Sequence, residues 1–172
     1  MANGTKASGP LEIERKFLIA YPDRARLEAI PGCVVLEMVQ TYLEGGGARV
    51  RKTTGAGGCV YTHTQKKKIT ELTRIETERE ISPGEYAEYL SCADPAYRPI
   101  EKTRLCIPYQ GHVFEIDIYP FWQDRAVAEV ELKGEDEEIL FPDWLNIIKE
   151  VTFDPSYKNA ALARKERYPI NG

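Results

Sequence analysis

Four stretches of this sequence place two carboxylates two residues apart: Glu12 and Glu14, Glu76 and Glu78, Glu115 and Asp117, and Glu129 and Glu131. Three others place two basic residues at the same spacing: Arg49 and Arg51, Lys66 and Lys68, and Lys102 and Arg104. In an extended strand, residues i and i+2 share a face, so each pair sets like charges side by side. Such pairs repel unless opposite charges or ligands lie between them. Paired carboxylates suit a hard divalent cation such as Mg²⁺ or Mn²⁺. Rows of Arg and Lys suit phosphate oxygens, and Arg can hold them bidentately. The combination fits a linear phosphate chain carried as a metal complex.

Strands must carry these pairs, and the apolar residues between them say where the strands run. Alternation predicts strands over 11–20, 34–44, 48–54, 59–68, 73–81, 99–109, 112–119 and 126–134. Glu12, Glu14 and Lys16 fall on one face of the first, opposite Ile13, Phe17 and Ile19. Glu115 and Asp117 oppose Phe114, Ile116 and Ile118; Glu129, Glu131 and Lys133 oppose Ala128, Val130 and Leu132. Helices are expected over 22–30, after the capping box Ser82-Pro83-Gly84-Glu85, over 142–150, and after Asp154-Pro155. A charged strand face can simply meet solvent. It can also line the inside of a barrel. The clustering of like charge favours the second, so the expected fold is α+β: an eight-stranded antiparallel closed barrel with a charged interior and helices packed outside. A membrane barrel is excluded by Arg15 and Arg79 on the outward faces and by the missing export signal.

The composition fits one such domain. The chain has 172 residues, with 23 basic and 27 acidic side chains and a formal charge of −4. That balance argues against a nucleic-acid partner, which usually demands a basic excess. No apolar run is long enough for a membrane span. MANGTKASGP reads as a flexible lead over 1–10, ahead of a single domain over 11–168. Cys33, Cys59, Cys92 and Cys106 are scattered and read as reduced thiols, so a cytoplasmic location is expected. His63 and His112 make neither a zinc site nor a triad.

Glu12-Ile13-Glu14-Arg15-Lys16 resembles the ExExK signature of the triphosphate tunnel metalloenzymes, the CYTH superfamily, most closely its compact bacterial members. The resemblance continues through Gln40-Thr41-Tyr42-Leu43, Arg49-x-Arg51, Thr64-Gln65-Lys66, Glu76-x-Glu78, Glu101-Lys102-Thr103-Arg104, Glu115-x-Asp117, Glu129-x-Glu131 and Tyr157-Lys158-Asn159. It implies a charged tunnel and a triphosphate substrate. Glu12, Glu14, Glu129 and Glu131 would hold divalent metal, with Asp117 as a further ligand. Arg49, Arg51, Lys66, Lys102 and Arg104 would grip the triphosphate, and Lys158 would reach in from the C-terminal helix. Lys16 would contact phosphate or help position the attacking water, packed against Tyr42. The catalytic set is thus Glu12, Glu14 and Lys16, with Tyr42, Glu76, Glu78 and Glu115 as accessories.

The leading expectation is metal-dependent hydrolysis of inorganic tripolyphosphate. An adenylate cyclase of the class IV type, a thiamine or nucleoside triphosphatase, and a polyphosphate-binding module without turnover are the alternatives. Glu76 and Glu78 serve equally as ion-pair partners for the basic rows. Glu80, Lys133 and Lys68 fall toward the rim, and His63 points outward. Choosing Lys66 over Lys67 depends on register, because a one-residue slip exchanges them.

Overall fold

The computed structural model describes residues 13–68, 74–134 and 136–165, apart from the side chains of 66–68 and 74–76. Nine strands form one antiparallel sheet: β1 (Ile13–Ala20), β2 (Val34–Tyr42), β3 (Ala48–Gly55), β4 (Gly58–Lys68), β5 (Arg74–Ile81), β6 (Ile100–Tyr109), β7 (His112–Ile118), β8 (Arg125–Leu132) and β9 (Ile147–Glu150). Their order is β5-β4-β3-β2-β6-β7-β8-β1-β9. Most neighbours are sequence neighbours joined by hairpins. One tight hairpin joins β6 to β7 through Gln110 and Gly111, at φ 47° and 82°. Two successive left-handed residues make the turn whose twist matches the flanking strands.

Three short helices accompany the sheet: α1 (Arg24–Glu28), α2 (Pro83–Leu90) and α3 (Asn159–Ala163). The predicted capping box forms at α2. Glu85 N donates to Ser82 Oγ at 3.1 Å and Ser82 N to Glu85 Oε2 at 2.8 Å. No helix among the described residues is long and apolar enough to cross a membrane.

The alternation sorts the sheet into two faces. On one, Phe17, Ile19, Leu105, Ile107, Phe114, Ile116, Ala128 and Val130 pack into the main core. Leu27 of α1 and Leu145 cover it. Tyr86 of α2 covers a satellite cluster with Val50 and Ile81. The other face carries the charges. Toward one end its rows turn apolar: Leu18 follows Lys16, Val127 precedes Glu129, Tyr119 follows Asp117 and Ile100 precedes Lys102. Leu162 and Ala163 of α3 pack on that end together with Trp122 and Val151. Tyr119 Oη donates to Asn159 Oδ1 at 2.7 Å and anchors the start of α3 there.

One expectation stands in part and two need correction. The sheet has nine strands, and among the described residues no hydrogen-bonded ladder joins its edges β5 and β9, so an eight-stranded closed barrel is not what the ladders describe. The segment 142–150 is not helical. Trp144 and Leu145 pack on the main core, and β-branched Ile147 and Ile148 lead into β9 instead. β9 pairs with β1, and Arg15 clamps it with two bonds to Glu150, at 2.9 and 2.8 Å. The last helix is broken into a 3₁₀ turn at Pro155–Tyr157 and α3. Lys158 between them is extended, at φ −72° and ψ 142°. Arg98 N draws off the Ala163 carbonyl at 2.8 Å, where the helix ends.

Candidate active site

Register decides which charges meet. β1 and β8 set Lys16 opposite Glu129 and Glu14 opposite Glu131. β7 and β8 set Glu115 opposite Glu129, and β6 and β7 set Arg104 opposite Asp117. Two of these pairs oppose carboxylate to carboxylate, which is unfavourable unless positive charge intervenes.

Arg104 supplies that charge. Its Nε and Nη2 donate to the two oxygens of Asp117 at 2.6 and 2.7 Å, a bidentate pair. Its Nη2 also reaches Glu129 Oε2 at 3.0 Å, and its Nη1 bonds Glu115. Lys102 donates to Asp117 Oδ2 from the other side. Lys16 Nζ lies 2.7 Å from Glu129 Oε1 and 3.8 Å from Glu14 Oε1. Seven predicted residues thus form one network: Glu14, Lys16, Lys102, Arg104, Glu115, Asp117 and Glu129.

Asp117 is fully buried, and Lys102 and Glu129 are nearly so. Burial opposes ionisation of Asp117, but Lys102 and Arg104 outweigh it and hold the carboxyl below the usual range. Burial likewise pushes the Lys102 ammonium down. At Arg104 the desolvation is overcome by its carboxylate partners, Asp117 first, and the guanidinium stays firmly charged. Glu115 is pushed up, first by burial. Glu14 is pushed up to about 7, first by withdrawal from water and next by the negative charge of Glu129.

The Glu14 shift has a sign that can be checked. A carboxyl raised in the folded state adds stability below its ordinary value of 4.5 and loses that stability as pH rises through about 7. The metal-free protein is expected to melt at lower temperature as pH rises across this window, and Glu14→Gln is expected to flatten the fall. The side chain keeps 47% exposure, so solvent screens part of the effect. Parallel melting curves for the two proteins would contradict the assignment.

Beside this network lies a second one. Gln40, only 2% exposed, donates from Nε2 to Tyr42 Oη at 2.8 Å. Its Oε1 accepts from Nε and Nη2 of Arg51, each at 3.3 Å. Tyr42 packs against Tyr97 with the rings tilted 38° and their centroids 5.1 Å apart, and it is influenced by Arg49 and Arg51. Thr64, fully buried, donates to Glu78 Oε2 at 2.7 Å. Glu78 in turn faces Arg51 electrostatically. Gln40 and Thr64 had no role assigned from sequence. Their positions opposite Arg51 and Arg49 in the strand registers were the available signal.

Other predicted residues stand apart. Glu131 is exposed, as is Lys158 at the cap of α3. Lys66 pairs with Glu76 in the β4–β5 backbone register, but their side chains and all of Glu12 lie outside the described residues. Among the described residues, no three carboxylate, imidazole or thiolate groups are gathered as a ready metal centre. A cavity of about 250 Å³ lies elsewhere, lined by Tyr21, Arg24, Glu37, Glu101 and Trp122. Of the network, only Lys102 borders it.

An acidic set and a basic row on one face of an antiparallel sheet define a class of protein that handles a charged ligand. An inorganic triphosphatase of Acetivibrio thermocellus is 32% identical over 159 residues, covering 89% of this chain and 93% of that protein. One of Nitrosomonas europaea is 35% identical over 158 residues, covering 88% and 96%. The crystal structure of the inorganic triphosphatase NE1496 matches with a TM-score of 0.52 at 28% identity, over 88% of this chain and 93% of that one. No family model matches the chain. The chain is an enzyme of the inorganic triphosphatase family, within the triphosphate tunnel metalloenzyme (CYTH) superfamily.

Proposed function

We propose that this enzyme hydrolyses inorganic tripolyphosphate, releasing phosphate, with Mg²⁺ or Mn²⁺ as cofactor. The observation that carries the reading is the Arg104 network, which holds three carboxylates and two further cationic side chains on one largely water-excluded face. Closure of the sheet around that face, as the tunnel of this superfamily, is the architecture the reading takes.

The donor chemistry fits a divalent cation. Glu14 faces Glu131 and Glu115 faces Glu129 across the ladders, and Glu14 is raised first by burial and next by the negative charge of Glu129. Glu12, Glu14, Glu129 and Glu131 are the residues to hold the cation, through hard oxygen donors. When bound, it would offset charge on the phosphate oxygens and favour an attacking water. Asp117 acts differently from a ligand in this reading. Both its oxygens are taken by Lys102 and Arg104, so it anchors that basic pair.

Arg49, Arg51, Lys66, Lys102 and Arg104 grip phosphate oxygens and stabilise charge developing on the phosphoryl group in flight. Lys16, held at Glu129, stands between the acidic set and the substrate. Lys158, exposed at the cap of α3, is the further basic residue this reading brings to the substrate. Comparing tripolyphosphate, thiamine triphosphate and ATP as substrates tests the proposal. Tripolyphosphate is expected to give the highest kcat/KM. Preference for ATP, or cyclic AMP as its product, would contradict it.

A further inference from the structure

We infer that Gln40 is the positioning residue for Arg51, a neutral clamp that fixes the guanidinium without consuming its charge. The inference rests on the reading of Arg51 as a phosphate-gripping residue.

Gln40 sits on β2 directly opposite Arg51 on β3, and its side chain is almost wholly buried. A guanidinium has no acceptor, so the atom facing it must be the amide oxygen. Oε1 spans Nε and Nη2, one edge of the fork, at 3.3 Å each. The amide nitrogen is then committed to the Tyr42 hydroxyl at 2.8 Å, which can accept. Both ends of the amide are used, and neither can rotate without losing a partner. The Tyr42 hydroxyl in turn interacts with Arg49. Gln40 and Tyr42 therefore form an uncharged bridge between two arginines that share a strand face and repel each other.

The choice of an amide has a physical reason. A carboxylate in this place would pair with Arg51 far more strongly and neutralise the charge a phosphate needs. It would also set a negative charge beside a polyanionic substrate. The amide holds one edge of the fork, Nε and Nη2, and takes no part in holding Nη1.

The test is a double-mutant cycle on the full chain, with tripolyphosphate and Mg²⁺, reading KM and kcat separately. Gln40→Met keeps the volume and removes all three hydrogen bonds. It is expected to raise KM roughly tenfold, with a smaller change in kcat. Gln40→Glu is expected to raise KM further. In an Arg51→Lys background, Gln40→Met should add less than about twofold, because the clamped fork is already gone. In a Lys16→Met background, the same change should multiply in full. A general packing role would affect both backgrounds alike. Should Gln40→Met fail to fold, Gln40→Asn, one methylene short of Arg51, is expected to raise KM in the same selective way. Unchanged KM in the folded Gln40 variants, or full multiplication with Arg51→Lys, overturns the clamp. Arg51→Lys with wild-type kinetics overturns the reading of Arg51 itself, and the clamp with it.

Discussion

Arg104→Ala is expected to cut phosphate release by roughly 10²–10³ and to lower stability by about 3–5 kcal/mol, the range for breaking a buried ion pair. Among the described residues, Arg104 is the basic side chain that forms ion pairs with all three of Asp117, Glu115 and Glu129. Without it, fully buried Asp117 keeps Lys102, and Glu115 and Glu129 face each other across the β7–β8 ladder with Lys16 and the more distant Lys102 left to offset their charge. The cost is mainly that of leaving buried carboxylates short of partners, not the net worth of the pairs. On the chemical side, the loss of one charged donor from the transition state is worth roughly 10²–10³ in rate. Arg104→Lys separates the two effects. It restores a charge but cannot span both oxygens of Asp117 while reaching Glu129. It should recover much of the stability and little of the activity. Thermal melts beside steady-state kinetics check both halves. A stable Arg104→Ala enzyme with wild-type turnover would remove the centre of the account.

Glu129→Gln is the second large effect, and of a different kind. The side chain is nearly buried and joins two of the three basic groups of the network, Lys16 at 2.7 Å and Arg104 at 3.0 Å. The amide keeps the shape and can still accept from one of them, so the fold should survive. Turnover of tripolyphosphate should fall by roughly 10² or more, as for loss of a principal electrostatic group in the site. Divalent cation binding should weaken, read as a smaller rise in melting temperature on adding Mg²⁺. The variant carries an internal check. Glu129 is the second cause of the raised Glu14 carboxyl, so neutralising it should let Glu14 ionise at lower pH. Carboxyl titration by NMR reads that shift. Full activity with undiminished cation binding would show that the acidic set has been misassigned.

Strand faces were legible in the sequence because a period of two is hard to disguise in strands of eight residues. Ile13, Phe17 and Ile19 against Glu14 and Lys16 fixed β1, and Ala128 and Val130 against Glu129 fixed β8. Once faces are assigned, the candidate network follows, since Lys16, Arg104 and Asp117 all share one. The local pattern is weaker where tertiary partners decide. Trp144, Leu145 and Ile148 are spaced as on a helix, yet docking on the core and the Arg15–Glu150 clamp place Ile147–Glu150 at a sheet edge. Lys158 reads as helix interior until the chain is seen to turn there onto the sheet. Gln40 was visible only as part of a motif. Its role depends on which residue lies opposite, and pairing register is a property of two strands together.

The central claim is that the paired carboxylates and basic rows of this face hydrolyse a metal-bound triphosphate. Phosphate release from tripolyphosphate tests it most directly, measured with added Mg²⁺ or Mn²⁺ and again with excess chelator. The account predicts one phosphate and one pyrophosphate per substrate molecule with the cation, and loss of release on chelation. No release from metal-replete protein, or equal release with and without chelator, would contradict it.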